Sequence, residues 1–394
     1  MKKYIDSIPV GNKESFWKVI PKNWEIKTLN DACDFLDSQR IPIKDIDRTK
    51  MSGIYPYYGA SGIIDYVNKY IFDDDLILLA EDGANIINRS TPIAFLVNGK
   101  IWVNNHAHVL KARPTIDRYF LCAYLESLKY DKYNTGTAQP KLNRETCGKL
   151  PVLIPPLPEQ RKIANILNTW DKAIEKQTQL IEKLELRKKG LMQQLLTGKK
   201  RLPGFSGEWK RVKAGLLFGS SSIRSNKLEP LLSVTQDKGV VPRDMLETRV
   251  TMPNGDLSSF KLVDVGDFVI SLRSFEGGLE YSKYRGIVSP AYTVLKKKTD
   301  ISDVFYKVYF KSNDFIQRLA VAVIGIRDGK QISSSDFCYI KIPYPSLQEQ
   351  NAIANVFVSC DSEILLAKQE LNRFQQQKKG LMQVLLTGKK RVIQ

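Results

Sequence analysis

The sequence predicts an α+β protein: two similar mixed α/β domains, separated by two long helices that form an antiparallel coiled coil, with a pseudo-twofold relation between the halves. Three observations carry this expectation. Residues 159–202 align with 349–392 at a constant offset of 190 without gaps, and 21 of the 44 pairs are identical. Within both copies apolar residues recur at alternating spacings of four and three, the seam of a coiled coil. Ahead of each copy, short runs rich in β-branched and aromatic residues lie between Gly, Asn and Asp turns, which is a strand pattern.

A chain of 394 residues exceeds one ordinary core and suits two domains with connectors. A hydrophobic share of 43% and a charged share of 26% exclude a disordered chain. Cys33, Cys122, Cys147, Cys338 and Cys360 are odd in number, scattered and without a C-x-x-C pair, which predicts reduced thiols in a cytoplasmic protein. The opening "MKKYIDSIPVGN" has no apolar run after its lysines, and no stretch of about 18 apolar residues occurs, so neither a secretory leader nor a membrane partner is expected. A net charge of +18 and a pI near 9.5 call for a polyanion. That charge divides as +3, +6, +6 and +3 over residues 1–157, 158–202, 203–345 and 346–394 rather than collecting in one juxtamembrane block. Such a spread suits a protein lying along double-stranded DNA.

In the first domain, expected over 1–155, Trp24 opens the folded part within "PKNWEIKTLNDACDF". Strands are expected in "DDLILLA" (74–80) and "VNNHAHVLKA" (103–112), then a helix in "YFLCAYLESLKY" (119–130) and a strand on which Leu150, Val152 and Ile154 alternate. The second domain, expected over 203–345, repeats the outline. Trp209 opens it, strands lie in "GDFVISL" (266–272) and "VSPAYTVLKK" (288–297), a helix in "VFYKVYFKSNDFIQRLA" (304–320), and Ile340, Ile342 and Tyr344 alternate on the closing strand.

The helical spacers are expected over 156–202 and 346–394. The first seam comprises Ile163, Leu167, Trp170, Ile174, Ile181, Leu184, Leu191 and Leu195, with Gln177 and Lys188 completing its register. The second comprises Ile353, Phe357, Ile364, Leu371, Phe374, Leu381 and Leu385, with Cys360, Ala367 and Lys378. Pro158 and a Ser346–Glu349 capping box mark the starts, and Gly198 and Gly388 the stops. Some 38 helical residues make a rod of roughly 57 Å. Because the chain must leave the end of one helix and enter the start of the other, the pair is expected to run antiparallel. Lys188 and Lys378 intrude at one shared seam position, where they either set register or mark an opening to a partner.

Several stretches together resemble the DNA specificity subunits of type I restriction-modification systems. These are "YYGASGIIDYVNKYIFDDDLILLAEDGAN" (57–85) and "NTGTAQPKLN" (134–143) in the first domain, "PPLPEQRKIANIL" and "PSLQEQNAIANVF" opening the helices, and "KKGLMQQLLTG" closing them. The resemblance implies two target-recognition domains, each reading half of a split DNA target. It also implies that the helices space the halves and dock two methyltransferase subunits, with restriction subunits of helicase and nuclease activity joining that core. The chain itself is then non-catalytic and binds no cofactor. The assembled complex would be a type I site-specific deoxyribonuclease and adenine DNA methyltransferase, its partner subunits using S-adenosylmethionine, ATP and Mg2+. A stand-alone sequence-specific regulator and a coiled-coil scaffold are the alternative readings.

Catalytic motifs do not stand against this. "GIRDGKQ" (325–331) has neither the spacing nor the Ser/Thr of a P-loop, and no N-P-P followed by Tyr or Phe occurs. His106 and His108 point to one face if both lie on a strand, but lack a clustered third metal ligand, and "FDDDL" (72–76) reads as a turn feeding a strand. For DNA contacts the first domain offers Tyr57, Tyr58 and Ser61, then Asn85, Asn88 and Arg89, then Thr137, Gln139 and Lys141, with Gly59, Gly62 and Gly136 allowing close backbone approach. In the second domain Arg273, Ser274, Arg285, Arg327, Lys330 and Gln331 are the candidates, Arg and Gln being suited to guanine and adenine edges. Lys296, Lys297 and Lys298 suit phosphate contact or plain solvation.

Overall fold

Each copy of the duplicated segment holds one unbroken helix, Leu157–Leu195 and Leu347–Leu385, each 39 residues long, and ends in a turn rather than running helical to 202 and 392. A computed structural model describes residues 20–224, 228–246, 257–271, 274–323 and 332–392. The chain divides into two units, 1–178 with 370–394 and 179–369, so the division falls inside both helices.

In the first unit the start of the first long helix runs antiparallel to the end of the second. Trp170 meets Phe374 edge-on at 5.8 Å, and the Lys378 amine sits on the Asp171 carboxylate. Within the second unit the end of the first helix meets the start of the second in the same sense, with Lys188 on Asp361 at 2.5 Å and Lys368 on Glu185 at 2.7 Å. Each seam lysine therefore meets the aspartate at the shared repeat position, which fixes register in both units. Every seam residue is buried or half-buried, with Ile163, Leu167, Ile353 and Phe357 fully enclosed.

The ends of the helices follow from their sequence. Gly198 and Gly388 adopt φ of 74° and 70°, where a side chain is strained. The turn lets Lys200 N–H reach the Gln194 carbonyl at 3.1 Å and Lys390 N–H reach that of Val384 at 3.0 Å. At the start of the second helix, the Ser346 hydroxyl accepts from Glu349 N–H at 3.3 Å, but the Glu349 side chain does not complete a capping box. Its carboxylate is taken instead by Arg201, at 2.5 and 2.6 Å, and by the Trp209 indole at 3.0 Å.

Outside the helices, the first unit holds an antiparallel pair, Glu25–Thr28 with Pro151–Ile154, and two four-stranded sheets. One orders Cys33–Phe35, Ala107–Ala112, Leu76–Ala80 and Ala94–Val97; its helix, Arg118–Ser127, is capped by Asp117, whose side chain accepts from Phe120 N–H. The other orders Gly62–Val67, Ser52–Gly59, Lys100–Val103 and Phe72–Asp73, with one parallel pairing between Ser52–Gly59 and Lys100–Val103. The closing strand is not half-exposed as its alternation suggested, because Leu153 is as buried as Val152 and joins the same core.

The second unit repeats the plan with Lys210–Lys213 against Lys341–Tyr344, and a sheet of Phe218–Ser221, Thr293–Lys297, Phe268–Ile270 and Glu280–Tyr281. Its expected single helix is two, Asp303–Tyr309 and Asn313–Val323. The break comes at Ser312, which is buried and whose hydroxyl accepts from Phe315 N–H at 3.3 Å, a local alternative to helical pairing.

Candidate nucleic-acid interface

Four segments of the first unit meet at one surface, joined by hydrogen bonds. Asn104 N–H donates to the Tyr58 carbonyl at 3.0 Å, which ties the "YYGAS" hairpin to the following loop. From Asn104, the side-chain oxygen accepts from His106 N–H at 2.8 Å. The His106 ring in turn meets Asp82 at 2.8 Å. Beyond Asp82, Gly83 N–H donates to the Pro140 carbonyl at 3.0 Å, and Leu142 N–H to that of Glu81 at 2.7 Å, bringing in the 134–142 loop. That loop is shaped by Asn134, whose side-chain oxygen accepts from Gly136 N–H at 3.0 Å and Lys141 N–H at 2.8 Å. Gly136 has no alternative, since a Cβ there would stand 1.8 Å from the Gln139 carbonyl oxygen.

A buried charged layer supports this surface. His108 is fully enclosed, with Nδ1 at 2.6 Å from Asp37 and Nε2 at 2.8 Å from the Leu142 carbonyl. Burial alone would pull its pKa down, but the hydrogen bond to Asp37, with Cys147 beside the ring, outweighs that and holds it up at about 10. Both ring nitrogens therefore donate from an imidazolium. Burial pushes Asp37 the other way, yet His108 keeps it below the usual carboxylate range. Arg40 completes the layer, bonding Glu81 and the Ala107 carbonyl at 2.8 Å each.

The expected contact residues divide on this surface. Ser61, Asn88, Thr137, Gln139 and Lys141 are exposed, and Tyr58 is half-buried. Tyr57 is buried with its hydroxyl accepting from Ile43 N–H at 3.1 Å. Asn85 is buried too, its amide closing the loop onto Thr91 at 2.9 and 3.0 Å. Arg89, at φ 52°, turns to Glu126 at 2.9 Å. These three shape the surface rather than present a side chain from it.

In the second unit Ser274 is enclosed and accepts from Ser271 N–H at 2.8 Å. Arg285 is exposed but paired to Glu229 at 2.7 Å and Asp264 at 2.6 Å. Lys296 is drawn to Asp264 and Asp267, Lys297 to Asp303, and Lys298 to the Gly215 carbonyl. Arg273, Arg327, Lys330 and Gln331 lie outside the described residues.

His106 is the surface residue that sequence reasoning placed wrongly. The strand begins at Ala107, so His106 lies in the turn ahead of it and the two histidines do not share a face. Its side chain is 50% exposed beside Asp82, whereas His108 is inside. No group of three or more His, Cys, Asp or Glu able to hold a metal occurs among the described residues, and no helix there is long and apolar enough to cross a membrane.

Comparison with known proteins agrees with this architecture. Residues 21–186 match the model of the type I restriction modification DNA specificity domain. A putative type I restriction enzyme specificity subunit of Haemophilus influenzae is 33% identical over 160 residues, 40% of each chain. The MjaVIII type I restriction enzyme specificity subunit of Methanocaldococcus jannaschii is 27% identical over an alignment spanning 96% of each. The crystal structure of the type I restriction-modification S subunit from M. genitalium shares the fold, with a TM-score of 0.57 and 15% identity over 96% of this chain and 98% of that one. A duplicated α+β chain with paired helix ends and this domain match defines a DNA-specificity protein. Residues 21–186 carry the DNA specificity domain of type I restriction-modification systems, and the chain is similar along almost its whole length to the specificity subunits of such systems.

Proposed function

We propose that the chain reads a bipartite DNA target, one half-site with each recognition domain, 1–155 and 203–345. The helical spacers, 156–202 and 346–394, set the separation of the half-sites. They also dock two methyltransferase subunits, through which restriction subunits join. The supporting observation is that each unit is completed by the far copy of the repeat: Arg391 closes on Glu159 in the first and Arg201 on Glu349 in the second. Neither reader is whole without both helices, so one chain carries two readers joined by continuous helices.

In the first domain the base-reading side chains are Tyr58, Ser61, Asn88, Thr137, Gln139 and Lys141, joined by His106. Tyr57, Asn85 and Arg89 hold the loops beneath them. In the second, Arg273, Arg285, Arg327, Lys330 and Gln331 are the readers, with Ser274 as support. S-adenosylmethionine, ATP and Mg2+ belong to the partner subunits, and the whole complex works in the cytoplasm on double-stranded DNA. The test is methylated-base sequencing of a host with and without the gene. Loss of one bipartite adenine motif on deletion, and its return on complementation, is expected. An unchanged methylome beside tight site-specific binding by the chain alone would favour a stand-alone regulator instead.

A further inference from the structure

The second unit contains a cleft of about 660 Å³ between the end of the first long helix and the start of the Asn313–Val323 helix. Five cations line it, Lys189, Lys199, Arg211, Lys311 and Arg318, against one carboxylate, Asp314. Two of the five are compensated: Arg318 grips Asp314 at 2.9 Å through two nitrogens, and Lys311 reaches Glu280 at 2.6 Å. The side chains of Lys189, Lys199 and Arg211 are exposed and form no ion pair or hydrogen bond among the described residues; Arg211 acts on Asp314 through charge alone, and that carboxylate is already gripped by Arg318. Three like charges facing one concave space repel one another unless an anion sits between them.

The cleft is not a by-product of the repeat. Lys379 and Lys389 occupy the positions of Lys189 and Lys199 in the other copy. At the strand position of Arg211, however, the first unit has Ile26: Arg211 pairs with Pro343 and Ile26 with Leu153, 190 residues apart. The third cation is particular to the second unit.

We propose that this cleft seats a phosphodiester of the DNA backbone, away from the side chains assigned to base reading. The guanidinium of Arg211 supplies a planar pair of donors for two phosphate oxygens, and Lys189 and Lys199 supply point charges. This rests on the DNA-reading function, which it deepens by giving the second unit a sequence-independent anchor.

The test measures binding of the full chain to fluorescent duplexes of about 40 base pairs, random and target-bearing, across a salt series. Wild type is compared with Lys199→Glu/Arg211→Glu and with Lys379→Glu/Lys389→Glu, which changes the charge equally in the first unit. The cleft variant should lose about tenfold in affinity on both duplexes and flatten the log–log salt slope by roughly 1 to 2, the first-unit variant less than half as much. Lys199→Gln/Arg211→Gln should show about half the slope change with wild-type melting, separating charge loss from misfolding. Equal losses in both double variants, or none in either, overturn the proposal. If duplex binding is unaltered but pyrophosphate raises the melting temperature of wild type and not of the cleft variant, the cleft takes a free phosphate and the backbone assignment is overturned. Absence of any duplex binding by wild type would instead strike at DNA reading itself.

Discussion

Arg391 grips Glu159 with two guanidinium nitrogens, each 2.7 Å from a different carboxylate oxygen, across 232 residues of sequence. Trp24 donates to the same carboxylate at 3.1 Å, and the guanidinium lies over its ring at 5.7 Å. Burial would raise the Glu159 pKa, but Arg391 and Trp24 hold it below the usual glutamate range. Stability from this group is therefore present above the ordinary glutamate pKa and lost as pH falls through the depressed folded value. Arg391→Met should cost about 2–4 kcal/mol, because it strands a largely buried carboxylate. Arg391→Lys should recover little, since an ammonium matches neither the bidentate geometry nor the stacking. Denaturant unfolding followed at Trp24 measures both, and an unchanged midpoint for Arg391→Met would contradict the clamp.

His108 gives a second pH dependence of opposite sign. Its folded pKa of about 10 lies above the ordinary histidine value, so its contribution is complete below about 6.5 and lost as pH rises through about 10. An NMR titration should find this ring protonated throughout the neutral range. His108→Gln should remove the corresponding part of the stability loss between pH 7 and 10, and an imidazole that titrates near 6.5 would contradict the buried pair.

Glu280 is raised to about 7 by burial, against the pull of Lys311, and its Oε2 is buried without a partner among the described residues. With the folded pKa above the unfolded one, the stability it gives is present below about 4.5 and lost as pH rises through about 7. Glu280→Gln should accordingly stabilise the second unit more at pH 8 than at pH 5. Melting curves at the two values check this, and equal shifts would contradict it.

Of the residues proposed to read bases, Gln139 is exposed and His106 half exposed, whereas Tyr57, proposed as a support, is buried. Gln139→Ala and His106→Ala should relax one base position of one half-site, by about 1–3 kcal/mol of discrimination, with melting unchanged. Tyr57→Phe should do the reverse, costing about 1 kcal/mol of stability while the motif persists. Motif sequencing beside thermal melting distinguishes the two; loss of bases with Tyr57→Phe alone would invert the assignment.

The helices were legible because a repeat of period 190 and a 4–3 apolar spacing are one-dimensional signals. Their partners at the ends were not. Glu349 reads as half of a capping box, and only the fold brings Arg201 and Trp209 to it. Around the candidate surface, residue type suggested Tyr57, Asn85 and Arg89 as readily as Gln139, because a sequence does not say which polar group a neighbouring loop satisfies. His106 was misplaced for a related reason: strand alternation holds only inside the strand, and that strand starts one residue later.

Replacing residues 24–150 with the recognition domain of a relative, and sequencing the methylated motif in a host that carries the hybrid, tests the division into two readers most directly. One half-site should change to that of the donor, while the other half-site and the number of unread bases between them stay as they were. A motif in which both half-sites change, or neither does, would contradict it.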